Sequence, residues 1–141
     1  ERRDGWDFTI SLSITNKNSD LYEKFKQRQN LSDKDFVEIK IDPSVLLENE
    51  CFFCDTNAAN HTFNEYRENT EKLNILKFGI AFEGMFKDKV HRHYHGKSGI
   101  INRINKKTYE TTCSQAEICL IGNINTDKLI NYKELNQLLN G

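Results

Sequence analysis

No apolar run in the 141 residues approaches the roughly 20 that a membrane-spanning helix needs, so the chain reads as soluble. Charge of one sign is also lacking: 20 basic residues face 21 acidic ones, and a formal net charge of −1 gives no overall field that would favour nucleic acid or an anionic membrane. Chemical signatures are equally sparse. The GKSG at 96–99 contains a Gly-Lys-Ser core, but it lacks the upstream glycine of a phosphate loop. No nucleophile elbow occurs, and no pair of carboxylates stands out in an apolar setting. These absences lead to the expectation of a non-catalytic protein, with no nucleic acid among its partners. There is no initiator Met and no signal peptide, as expected of an excised or processed segment.

What is present is polar. The chain has sixteen Asn and one Pro, with 37% hydrophobic and 11% aromatic residues, enough for one domain over 1–141 with a frayed tail at 1–5. Trp6, Phe8, Ile10, Leu12 and Ile14 alternate with polar residues, the period of a half-buried strand. Further extended runs are expected at 36–41, at 51–54 and across 73–86, where Phe78, Ile80, Phe82 and Phe86 share a face and Gly79 and Gly84 mark bulges. GKSG between Val90–His95 and Ile100–Asn105 predicts a hairpin. Residues 108–112 look like another strand, while 116–121 fits either strand or helix. A short surface helix over 21–30 and a C-terminal helix complete the expectation: a mainly β sandwich or barrel of six to eight strands.

The most chemical stretch is GNINTDKLINYKELNQLLNG at 122–141. A twelve-residue loop laid over Asn123–Glu134 puts side-chain oxygens at positions one (Asn123), three (Asn125), five (Asp127), nine (Asn131) and twelve (Glu134). With Gly122 before the loop and Leu135 and Leu138 after it, the stretch resembles an EF-hand or dockerin-type calcium repeat. That resemblance implies calcium held by Asn123, Asn125, Asp127, the Leu129 carbonyl and Glu134, with Asn131 acting through water. The same residues also describe a closing helix with Asn131 as N-cap, Glu134 as its capping partner, and Leu135, Leu138 and Leu139 toward the core.

Three other groups invite a reading. Cys51, Cys54, Cys113 and Cys119 are an even number, consistent with two disulfides or with four free thiols. His91, His93 and His95 would share one face of a strand and form a secondary metal candidate, or a solvated strip. Lys87, Lys89, Arg92, Lys97, Arg103, Lys106 and Lys107 gather around the expected hairpin. Two functions follow. The favoured one is a secreted or extracellular, disulfide-bonded recognition domain for a protein partner, with calcium as an optional structural ion. The alternative is an intracellular barrel, similar in element order to pleckstrin-homology domains, whose basic 87–107 hairpin contacts an anionic lipid headgroup or ligand at a membrane surface.

Overall fold

A computed structural model describes residues 8–14, 23, 26–77, 79–87, 97–107 and 110–140. Its frame is a three-stranded antiparallel sheet of β1 (Thr9–Ser13), β2 (Cys51–Cys54) and β3 (Glu117–Ile121), in the order β1-β3-β2. The strand that comes last in sequence therefore lies in the middle. Its register sets Ser13 and Cys54 on either side of Glu117, Ser11 and Phe52 beside Cys119, and Ile10 and Cys51 beside Leu120.

Side chains alternate across a strand, so the sheet divides the core in two. On one face Cys51, Phe53, Ile118 and Leu120 pack with Val45, Phe82, Met85, Phe86 and Ile100. On the other face Phe52, Cys54 and Cys119 pack with Ala58, Phe63 and Leu76. The first layer is built from α1 (Val45–Glu48), α4 (Gly79–Glu83) and α5 (Lys97–Lys106). The second holds a 3-10 turn (His61–Phe63), α2 (Asn64–Glu68) and α3 (Thr70–Ile75). Helix α6 (Tyr132–Asn140) closes the described chain. No helix among the described residues is long and apolar enough to cross a membrane.

This is a sheet covered by helices on both faces, and it corrects the expectation of a mainly β sandwich or barrel of six to eight strands. The alternation near the N-terminus does mark a strand, and 116–121 resolves to one. Residues 36–41 are extended but join no sheet; their only ladder contact is an isolated bridge from Ile41 to Leu129. The 73–86 stretch folds as the end of α3, then α4 and a turn. Phe82 enters the core from α4 and Phe86 from the turn that follows it, their ring centroids 5.1 Å apart; a separation of four residues fits a strand's period as well as a helix's. The second arm of the expected hairpin folds instead as α5, in which Ile100, Arg103 and Ile104 turn one face inward, and its first arm, 90–95, lies outside the described residues. Arg103, expected on a basic surface, is buried among these residues and pairs with Glu83.

All four cysteines are free thiols, which corrects the disulfide expectation. Burial pushes the Cys51 thiol up to about 12, with neighbouring Cys119 acting in the same direction. Cys54 is raised by its hydrogen bond to Cys119 and then by burial. Protonated, buried thiols are poor nucleophiles. Iodoacetamide should therefore label Cys113 alone in the native protein and all four cysteines after denaturation, as read by intact mass. A native mass short by four hydrogens would show that the thiols are paired after all.

Candidate active site

The second face of the sheet carries one carboxylate at its rim. Glu117 opens β3, points to the same side as Cys119, and is half-buried where the flanking apolar cluster ends. Both of its oxygens are occupied. The Ser11 hydroxyl of β1 donates to Oε1, and the Ala58 backbone N–H donates to Oε2 at 2.8 Å. Ser11 lies one step along β1 from Ser13, the cross-strand partner of Glu117, so the sheet register itself delivers the hydroxyl.

Ala58 belongs to the turn that follows β2, and its side chain is fully buried in the second cluster. Asparagines shape this turn. Asn57 Oδ1 accepts from Ala59 N–H at 2.8 Å, and Asn60 Oδ1 accepts from Thr62 N–H at 3.0 Å, capping the 3-10 turn as short polar side chains do. Arg67 of α2 reaches back across it: Nη2 donates to the carbonyls of Ala58 and Asn60, the latter at 3.1 Å, and Nη1 donates to Asn64 Oδ1. Asn69 caps α3 by accepting from the N–H groups of Glu71 and Lys72 at 3.0 and 3.3 Å, which fixes the next helix behind α2.

A carboxylate gripped by two donors from separate elements, with an apolar wall behind it, keeps its orientation without a ligand present. It can accept a proton from an attacking group or stabilise positive charge at a reacting carbon, and it has little structural work to do that a neutral side chain could not. A family model described as ssDNA thymidine ADP-ribosyltransferase, DarT, matches residues 3–130. The chain belongs to this family. A search of curated proteins finds no significant match.

Membership in an enzyme family that acts on single-stranded DNA overturns four expectations. These are the EF-hand or dockerin kinship, the non-catalytic protein-binding role, the lipid-binding alternative, and the exclusion of nucleic acid. The β-sandwich and the disulfides fall separately, to the sheet topology and the free thiols.

Some residues of the expected calcium loop make contacts elsewhere in the fold. Gly122 adopts φ +104, a conformation that favours glycine, as the chain leaves β3, and a Cβ there would sit 3.1 Å from Asn49 Nδ2. Its place before the loop thus has a local cause. Thr126–Lys128 forms a 3-10 turn containing Asp127, with Asn125 as its N-cap residue. Lys128 donates to Ser44 Oγ at 3.0 Å and pairs with Glu48 at 2.9 Å. The Leu129 carbonyl accepts from Tyr132 N–H. The Asn131 amide bridges to the extended 36–41 segment, accepting from Lys40 N–H at 3.0 Å and donating to the Glu38 carbonyl at 2.8 Å. Asn123 and Glu134 are exposed, Leu135 is buried, and Leu138 is 69% exposed. No cluster of three or more His, Cys, Asp or Glu suited to a metal occurs among the described residues. His91, His93 and His95 lie outside the described residues, as does the tail at 1–5.

Sequence reasoning missed Glu117, Ser11, Ala58 and Arg67. One signal was available: in Gln115-Ala116-Glu117-Ile118-Cys119-Leu120-Ile121, a carboxylate heads an otherwise apolar strand. A charge in that position needs partners or a task.

Proposed function

We propose that this chain transfers ADP-ribose to thymidine in single-stranded DNA, with Glu117 as the catalytic carboxylate. The observation that carries the reading is the Glu117 carboxylate, held by Ser11 and Ala58 at the rim of the central strand. Family membership supplies the reaction class.

The donor we assign is NAD. Breaking its bond between the ribose C1′ and nicotinamide releases a neutral base and leaves developing positive charge on the sugar, the same electronic demand that glycoside cleavage meets with carboxylates. Glu117 answers that demand with a fixed negative charge. The new bond forms from C1′ to the acceptor. Within a DNA strand the sugar hydroxyls are esterified and thymine N1 is bonded to the sugar, so the ring N3–H is the proton-bearing atom left. Its proton passes to the Glu117 carboxylate and then to water. N3 lies on the Watson–Crick edge, which pairing covers in a duplex and a single strand exposes. The acceptor chemistry thus suits an unpaired substrate.

The test is direct. Incubation with NAD and a thymidine-containing single-stranded oligonucleotide should add the mass of one ADP-ribosyl group to the DNA and release nicotinamide. The same oligonucleotide annealed to its complement, or one with every thymidine replaced, should gain nothing. Modification of duplex and single strand at equal rates would refute the reading.

A further inference from the structure

The contacts around Ala58 extend the site beyond the groups that would touch substrate. We propose that Arg67 is a positioning residue: by drawing the Ala58 and Asn60 carbonyls onto its guanidinium, it fixes the turn after β2 so that the Ala58 N–H stays on Glu117. The inference rests on the reading of Glu117 given above.

Ala58 is bracketed by opposite charges. Its N–H points to the Glu117 carboxylate and its carbonyl to the Arg67 guanidinium. Because successive peptide units are planar and joined at one Cα, fixing the carbonyl side of residue 58 restricts where its N–H can aim. The Asn57 side chain fixes the turn from within, through Ala59 N–H. Arg67 fixes it from outside, binding Ala58 and Asn60 from one nitrogen while its other terminal nitrogen is tied to Asn64. The guanidinium is a planar donor with no acceptor, suited to gathering several carbonyls at once, which a lysine ammonium on a flexible stem does less well. The turn 55–60 belongs to no strand; beside its own backbone bond from Asn60 N–H to the Asn57 carbonyl and the burial of Ala58, these side-chain bonds orient it. Arg67 acts through Ala58. Two residues far apart in the sequence thereby become one device, with the catalytic charge at one end and its brace at the other.

Steady-state kinetics with NAD and a thymidine-containing single-stranded oligonucleotide separate a positioning role from a general structural one. Arg67→Met should lower kcat on the order of 10- to 100-fold, the scale of a misplacement near the reacting atoms. KM for NAD and for the oligonucleotide should stay within about twofold of the parent, because a brace on the carboxylate acts on the chemical step and not on ground-state binding. Hydrogen exchange should quicken in a peptide covering 55–60 while peptides of β1 and β3 keep their protection. Arg67→Lys should recover part of the kcat loss, and it carries the comparison if the Met variant does not fold. An unchanged kcat in the Met variant, or a loss of kcat accompanied by loss of β3 protection, overturns the proposal. Glu117→Gln, assayed alongside, distinguishes the two levels. If that variant still transfers ADP-ribose, the reading of Glu117 fails and this inference with it. If it is inactive while the Arg67 variants turn over like the parent, only the role of Arg67 fails.

Discussion

Replacing Glu117 with Gln should lower kcat for ADP-ribosyl transfer on the order of 1,000-fold or more, the scale set by removing a fixed charge aimed at a developing opposite charge. The protein should remain folded. Gln keeps the length of the side chain, its oxygen can still accept from the Ala58 N–H, and its amide can donate to a rotated Ser11 hydroxyl, so neither partner is abandoned. What disappears is the charge. The same variant should bind NAD and oligonucleotide with little change, since ground-state contacts are largely preserved. A thermal midpoint near that of the parent, together with lost turnover, is the expected pair of results. Turnover within tenfold of the parent would remove Glu117 from the mechanism.

The largest effect on stability is expected on the opposite face of the sheet. Arg103 is 1% exposed and Glu83 7%; Arg103 Nη2 stands 3.3 Å from Glu83 Oε2, and its guanidinium carbon lies 4.1 Å from the centroid of the Phe86 ring. Removing the carboxylate takes this ion pair from the buried Arg103 guanidinium, and breaking a buried pair in this way costs about 3–5 kcal/mol. Glu83→Ala should therefore lower the unfolding free energy by roughly that amount, read from urea denaturation at an unchanged m-value. Changing both residues to Met should restore much of it, because the desolvation of two charges is relieved together. Helices α4 and α5 pack away from the face that carries Glu117, so the fraction of Glu83→Ala that remains folded should transfer ADP-ribose at the parent rate. A loss below 1 kcal/mol in the single variant would show that the pair is not a determinant of the fold.

The strands were legible where apolar and polar residues alternate, as in β1, or where an apolar run was short, as in β2 and β3. Helices were misread where two periods coincided. Phe82 and Phe86 satisfy both spacings, and Gly79 and Gly84 looked like strand bulges although one begins a helix and the other follows it. In α5 the turn-forming residues of GKSG outweighed the inward face of Ile100, Arg103 and Ile104, because propensity is local and the face is visible only against a partner. The site was harder to see for a different reason. Glu117 and Ala58 meet across 59 positions, and the contact exists only once β3 has paired with β1 and β2. Among the sixteen asparagines, Asn57, Asn60 and Asn69 each satisfy backbone N–H groups at turns and helix starts around the site, a role that composition alone does not reveal.

The central position of β3 also bears on how the chain comes to be folded. β1 can pair only with a strand that lies more than a hundred residues later, and β2 waits for the same strand across more than sixty. Loop closure over such distances is slow, and such topologies acquire their native pairings late. On a ribosome, β1 and β2 emerge as two open edges before their shared partner has been synthesised, a state in which unpaired strands invite association with other chains. The catalytic carboxylate arrives on that last strand. Assembly of the sheet and arming of the site are thus one event, and a nascent or truncated chain that ends before residue 117 carries no competent centre.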